Sequence, residues 1–305
     1  MANPNKQVIL EGLNSKINTN VETAVFDSEG ESQPAYAPEL YSPGGEALQV
    51  PDLDSISEDD LRFYGEHGYL SVAAAFTPAE TSAAAEGLTG LIMGARPDFK
   101  GVMFENAARE ILPTLGLEQR QDAVRKLSGF VNFDGRLEAL AYHPKLMGIL
   151  RTLLGDEPVL FQDMALLKPP RLGREKPWHQ DLSYFNYDPT SRVVGVWIAL
   201  DEATVENGCM QLLPGRHREG PITHFKRRDW QICDTDILGK TSVAAPLQPG
   251  GLLLFDGLLP HGTPRNGSGR HRRALQFHYT GAKSEKIAAT ERMRVFGSEG
   301  GNVSC

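Results

Sequence analysis

From Asp156 onward the chain is cut into short apolar pieces. "PVLFQDMALLKPP" (158–170), "RVVGVWIAL" (192–200), "CMQLLPG" (209–215), "LQPGGLLLFDG" (247–257) and "RRALQFHYTG" (272–281) are rich in Val, Ile, Leu and Phe, and Gly/Pro turns separate them. Many short apolar segments at this spacing specify strands, and strands in such number must close on one another as a sandwich or barrel.

The first half reads differently. Ser57 with Asp60 three residues on is a capping-box variant ahead of Leu61 and Tyr64, so regular structure is expected to start near Ser57. Thr77, Pro78 and Glu80 form a stronger helix start, with an Ala-rich body running to about Met93. "RLEALAYHPKLMGILRTLLGD" (136–156) places Leu and Ala at helical spacing on both sides of Pro144, which predicts two short helices broken near His143–Pro144. Residues 1–54 lack apolar periodicity and read as an irregular arm. Residues 55–290 form one domain, helical over 55–155 with a β core over 156–283, and 291–305 are a tail. The class is α+β, mainly β.

Charge narrows the function. A net charge of −8 and a pI near 5.5 argue against nucleic acid or an anionic membrane as partner. No apolar run reaches the roughly 18–20 residues that span a bilayer. The N-terminus shows no basic-then-apolar leader pattern, and the three scattered cysteines, Cys209, Cys233 and Cys305, suit free thiols in a reducing cytoplasm.

"PWHQDLSYF" (177–185) carries the chemistry. On a strand, residues i and i+2 point the same way, so His179 and Asp181 can reach one metal. Two histidines and a carboxylate with open positions are the signature of non-haem Fe(II) oxygenases. Among the other histidines, His67 and His143 fall in helical segments, while His217, His224 and His271 fall in charged, loop-like stretches. His261 and His278 remain in the β half, and His261, at the end of "GGLLLFDGLLP", is the better third ligand. Parity adds a check. Arg272, Ala274, Gln276 and His278 share one strand face, as do Gln162, Met164, Leu166 and Lys168. Such mixed polar and apolar faces fit a binding cavity better than a packed core.

"PWHQDLSYFNYDPTSRVVGVWIAL", "ENGCMQLLPGRHREG" and "LLPHGTPRNGSGRHRRALQFHY", in this order, resemble the phytanoyl-CoA dioxygenase family of Fe(II)/2-oxoglutarate-dependent oxygenases over roughly residues 55–283. The resemblance implies a double-stranded β-helix, or cupin-like jelly roll, with N-terminal helices packed on one side. It implies that His179, Asp181 and His261 are catalytic and bind Fe(II), with 2-oxoglutarate and O2 as cosubstrates. It also assigns Arg272 to the distal carboxylate of 2-oxoglutarate, with Thr263, Trp197 and Met164 in the same pocket. A guanidinium gives a bidentate, always-charged grip suited to that task. Arg273 has the opposite parity and should point outward, and His217 is a bystander. Gln180, Lys168, Gln162 and His278 are placed to touch substrate.

The expected reaction is hydroxylation of an unactivated C–H bond in a small molecule, coupled to decarboxylation of 2-oxoglutarate to succinate and CO2. Halogenases of this architecture replace the carboxylate by a small residue, and Asp181 is present. Desaturation, epoxidation or ring formation would use the same triad. The basic run in 216–234 (Arg216, Arg218, Lys226, Arg227, Arg228) is a candidate lid over an anionic substrate, a coenzyme A thioester or a free small acid. Three rivals stand beside this reading: a hydrolytic or isomerising Zn(II) or Mn(II) barrel, which gives Arg272 and Thr263 no task; a non-catalytic metal-binding jelly roll; and an AlkB-like nucleic-acid oxygenase, against which the acidic charge and the lack of an aromatic–basic stretch count. The sequence sets no oligomeric state.

Overall fold

The computed structural model describes residues 24–26, 35–116 and 118–298. Both predicted helix starts form as capping boxes. In α1 (Glu58–His67) the Ser57 hydroxyl accepts from the Asp60 N–H while the Asp60 carboxylate accepts from the Ser57 N–H. Gly68, at φ +79°, ends the helix in the left-handed conformation. In α2 (Pro78–Ile92) Thr77 and Glu80 cap each other in the same way behind Pro78. Pro144 ends one helix and opens the next, giving α3 (Gly135–Ala141) and α4 (Pro144–Leu154). A single turn, α5 (Asp234–Ile237), and α6 (Ala289–Phe296) complete the α-helices among the described residues. No helix there is long and apolar enough to cross a membrane.

Among the described residues lie sixteen strands, in chain order: β1 (Val25–Phe26), β2 (Gly45–Glu46), β3 (Gln49–Val50), β4 (Tyr69–Val72), β5 (Val102–Phe104), β6 (Val124–Ser128), β7 (Pro158–Lys168), β8 (Lys176–His179), β9 (Val193–Ala199), β10 (Met210–Leu212), β11 (His224–Lys226), β12 (Trp230–Ile232), β13 (Val243–Ala245), β14 (Leu252–Asp256), β15 (His261–Thr263) and β16 (Arg272–Gly281). They make a nine-stranded sheet, β1-β5-β6-β7-β16-β9-β14-β4-β3, and a five-stranded sheet, β2-β13-β10-β15-β8, with β11 and β12 as a separate hairpin. The two larger sheets are the two layers of a jelly roll.

β14 shows why the layers stack as they do. Leu252 and Leu254 point at the helices, packing with Leu88, Leu137, Leu146 and Leu150. Leu253 and Phe255 point the other way, into the space between the sheets with Trp197, Met210 and Ala274. A strand buried on both faces reads as an unbroken apolar run, and "LLLF" is one.

Two boundaries differ from expectation. The arm is not irregular throughout: β2 pairs in parallel with Val243–Ala244, and β3 with Ser71–Val72. Tyr41 stacks on Trp178 at 5.7 Å, and the Trp178 indole donates to the Leu40 carbonyl at 3.0 Å. A two-residue strand exists only because of its partner, so no local pattern announces it. The rest of the 1–54 arm, residues 1–23 and 27–34, lies outside the described residues. At the other end the chain stays ordered past 290: α6 seats a fully buried Phe296, whose ring lies 6.0 Å from that of His224.

Candidate metal centre

β8 and β15 are antiparallel neighbours, and their register sets His179 directly opposite His261. The two rings lie 4.3 Å apart, centre to centre. Asp181 follows at the start of a 3₁₀ turn, Asp181–Tyr184. The ligand atoms of His179, Asp181 and His261 all lie within 4.8 Å of one another, and all three residues are buried. Each imidazole is oriented from behind. His179 Nδ1 is 2.7 Å from the Pro177 carbonyl and His261 Nδ1 is 2.9 Å from that of Leu259. A carbonyl only accepts, so both Nδ1 atoms carry the proton and both Nε2 lone pairs face the common point. Those lone pairs sit 3.1 and 3.5 Å from Asp181 Oδ1. Two neutral imidazoles and a carboxylate oxygen so arranged fit a divalent transition metal. Burial first, then the neighbouring His261, pushes the His179 imidazole down to about 4, which keeps it neutral.

The second oxygen of Asp181 is held from the opposite sheet. His278 Nε2 lies 2.6 Å and Gln276 Nε2 3.1 Å from Oδ2. Gln276 and His278 also approach each other at 3.1 Å, and the ionised carboxylate, an acceptor only, fixes His278 Nε2 as a donor. Burial by itself would raise this carboxyl, but the facing His261 and His278 hold it well below the usual carboxylate range.

Beside the triad lies a cavity of about 180 Å³. Met164, Trp197, Thr263 and Arg272, all four expected cosubstrate residues, line it. Arg272 is 2% exposed and its guanidinium lies 5.4 Å from the centre of the Trp197 ring. It donates to the Leu166 carbonyl at 3.2 Å, its Nε has no partner, and among the described residues no carboxylate forms an ion pair with it. Burial first, then the nearby Arg125, lowers it to about 9. A buried guanidinium without an anion is costly, and one in a cavity wall calls for a ligand carboxylate. The Trp197 indole N–H is likewise buried and unpartnered. Arg273 points outward onto Asp201 at 2.8 Å, as its parity predicts.

The four residues expected to touch substrate divide. Gln162 lines the cavity with its side-chain oxygen buried and unpartnered. Lys168 borders the cavity, but its ammonium is spent on the carbonyls of Arg174 and of Pro264, the latter at 2.6 Å. Burial, then Arg272, lowers it well below an ordinary lysine. It is a fastener rather than a substrate contact. Gln180 points away from the cavity. Its amide donates to the carbonyls of Gly220 (2.9 Å) and Leu258 (2.6 Å) and accepts from the Ile222 N–H at 2.8 Å. It ties together the loops that flank both histidines. His278 stands behind Asp181, where it positions the carboxylate instead of meeting substrate.

The basic run 216–234 also lies elsewhere. Arg216 pairs with Glu219, Arg227 with Asp234, and Arg228 with Glu175 and Asp234, and none of the five cations lines the cavity. His224, set aside as loop-like, is fully buried, and its Nε2 accepts the Gln180 N–H at 3.0 Å between the two β8-side ligands. His217 stays outside, 3.2 Å from the Gly65 carbonyl. Arg125, Lys126, Lys176 and Tyr184 do border the cavity and were not expected there. Only the polar "VRKLS" within an otherwise apolar sheet hinted at the first two.

Comparison with known proteins agrees. The model of the phytanoyl-CoA dioxygenase (PhyH) family matches residues 64–274. A phytanoyl-CoA dioxygenase domain-containing protein 1 from Danio rerio is 25% identical over 263 residues, covering 74% of this chain and 90% of that protein. Its Rattus norvegicus counterpart is 33% identical over 153 residues, and the match spans about half of each, 48% of this chain and 53% of the rat protein. Among solved structures, EvdO2 from Micromonospora carbonacea var. aurantiaca complexed with 2-oxoglutarate is 25% identical, with a TM-score of 0.57 over 76% of this chain and 94% of that one. EctD from S. alaskensis with bound Fe shares the fold at a TM-score of 0.62 and 22% identity, over 88% of this chain and 87% of its own. With this match and a His-Asp-His group that fits the metal, the chain belongs to the phytanoyl-CoA dioxygenase family of Fe(II)/2-oxoglutarate-dependent oxygenases.

Proposed function

We propose that the enzyme hydroxylates an unactivated C–H bond of a small molecule, coupled to the decarboxylation of 2-oxoglutarate to succinate and CO2. One arrangement carries this reading: His179, His261 and Asp181 Oδ1 converge beside a cavity walled by an anion-seeking Arg272. His179, Asp181 and His261 would hold iron, and bound iron supplies the activation of dioxygen that side chains cannot provide. Arg272 grips the distal carboxylate of 2-oxoglutarate, with Thr263 close by and Trp197 and Met164 forming the wall. Met164, Leu166, Trp197 and Phe185 keep the site dry, which strengthens every charge contact inside it. Asp181, doubly anchored through Oδ2, keeps a carboxylate where a halide-using enzyme needs open space, and this favours oxygen transfer to substrate. We also infer a reducing, cytoplasmic setting, in keeping with the buried free thiols of Cys209 and Cys233.

The test is anaerobic addition of Fe(II) and 2-oxoglutarate, which should produce a weak visible charge-transfer band. A folded protein with no band sinks the cosubstrate assignment. Asp181→Ala should abolish succinate formation, and coupled turnover retained in that variant would sink the triad. Mass analysis of the product separates hydroxylation from desaturation, epoxidation or ring formation.

A further inference from the structure

β8 does not run evenly beside β15. His179 pairs with His261 and Lys176 with Thr263, so Pro177 and Trp178 together face the single residue Gly262. This is a β-bulge, which interrupts the ladder and re-aims the side chains next to it. Pro177 has no N–H to offer the ladder. Its carbonyl is what orients His179, accepting from Nδ1 at 2.7 Å. The aim of the first metal ligand therefore depends on how firmly the bulge is fixed.

The fixing comes from the N-terminal arm, ahead of residues 64–274 that the family model matches. Trp178 is 1% exposed and packs with Leu40, Tyr41, Leu213, Ile232 and Ile237, none of which lines the cavity. Tyr41 stacks on its ring at 5.7 Å, and the Leu40 carbonyl accepts its indole N–H at 3.0 Å. The Tyr41 hydroxyl donates to Glu175 Oε1 at 2.7 Å and lies 3.2 Å from the Lys176 carbonyl oxygen. Glu175 is itself held by the Arg228 guanidinium at 2.8 Å. Burial, then Glu175, raises the Tyr41 phenol well above its usual value, so it stays protonated and donates.

The same hydroxyl reaches the second strand. A methyl group added at Gly262 would sit 3.1 Å from the Tyr41 hydroxyl oxygen. The bare glycine backbone lets the phenol lie against β15 between His261 and Thr263. The Tyr41 carbonyl in turn accepts from Gln211 Nε2 at 3.2 Å, and Gln211 pairs with Gly262 from β10. One arm residue thus touches both residues before Pro177, the ring after it and the backbone beside His261.

We propose that Tyr41 is a positioning residue for the iron centre: it holds the β8 bulge so that the Pro177 carbonyl aims His179 Nε2 at the point shared with His261 and Asp181. The arm then belongs to the metal centre although it supplies no ligand.

The experiment compares Tyr41→Phe, which keeps the ring and its stack on Trp178, with wild type and with Thr77→Ala. Thr77→Ala removes a helix cap in the other layer and controls for general loss of stability. The metal-free full-length protein is titrated anaerobically with Fe(II), and separately with Co(II), whose visible bands report the geometry of its ligands. Tyr41→Phe should weaken both metals roughly 10-fold, the lower end for residues behind a metal ligand, and should shift the Co(II) bands. Affinity of the metal-saturated protein for 2-oxoglutarate should change much less, because Arg272 is untouched. Thr77→Ala should keep wild-type bands and wild-type metal affinity. Gln211→Met, which frees the Tyr41 carbonyl, should shift the bands in the same direction, and it carries the test if Tyr41→Phe fails to fold. Wild-type affinity and bands in Tyr41→Phe overturn the proposal. So does an equal loss in Thr77→Ala, or a loss of 2-oxoglutarate affinity as large as the loss of metal affinity.

Discussion

His278 Nε2 lies 2.6 Å from Asp181 Oδ2, so the carboxylate facing the two ligand histidines is anchored to the opposite sheet of the jelly roll. Gln276 supplies a second anchor at 3.1 Å. Partners behind a metal ligand orient it and tune it, and their loss typically costs roughly 10–100-fold in metal affinity. His278→Leu and Gln276→Leu should each weaken Fe(II) binding by about that factor while the fold survives. Metal titration alongside far-UV circular dichroism checks this, and wild-type affinity in both variants would contradict the anchoring role.

Arg272 should govern the cosubstrate. Truncating one partner of a buried charge pair costs about 2 kcal/mol or more, roughly 30-fold. Arg272→Ala is expected to raise KM for 2-oxoglutarate at least that far while kcat falls much less. Arg272→Lys should recover only part, because an ammonium cannot reproduce the planar fork. Steady-state kinetics across 2-oxoglutarate concentrations decides; an unchanged KM would remove Arg272 from the pocket.

Gly195 lies opposite His278 on β9, and a methyl group added there would sit 2.3 Å from the Phe255 ring. That ring packs 4.7 Å from His261 and 6.5 Å from His278, centre to centre. Gly195→Ala should therefore destabilise the fold by about 1–3 kcal/mol and also weaken iron binding, since the displaced ring presses on both histidines. Thermal denaturation of the apo protein and iron titration separate the two effects.

Acid should loosen the helical layer. The hydrogen bonds from the Thr77 hydroxyl and N–H hold the Glu80 carboxyl below its ordinary value. A carboxyl whose folded pKa is depressed contributes stability above its unfolded pKa and loses it as pH falls through the folded one. Stability should thus decline below about pH 4, the unfolded glutamate range, and Glu80→Gln should flatten that limb. Urea titrations at a series of pH values test it; parallel profiles would show the cap contributes nothing there.

The sequence made most of the centre readable because its key relations are local or periodic. His179 and Asp181 are two residues apart, Gln276 and His278 share Arg272's face, and Gln162, Met164, Leu166 and Lys168 alternate onto that same face from the neighbouring strand β7. The caps at Ser57 and Thr77 and the break at Pro144 were equally local. What stayed hidden depends on partners far along the chain. Arg228 looked like a lid cation until Glu175, 53 residues away, took its guanidinium. Lys168 looked like a ligand contact until Pro264 took its ammonium, and Gln180 until Gly220 and Leu258 took its amide. β6 carries a bulge at Arg125 that leaves no mark in "VRKLS", because an inserted residue is visible only against the strand beside it.

The pairing of His179 with His261 on adjacent strands puts both imidazoles on a single rung of one ladder. The Gln162 and Leu166 wall rides on β7, in the other sheet. The two histidine ligands and the cavity wall that faces them thus belong to separate sheets of the fold. Descendants of such a chain can drift in the walls, lineage by lineage, and acquire new targets while the rung that activates oxygen passes down unaltered.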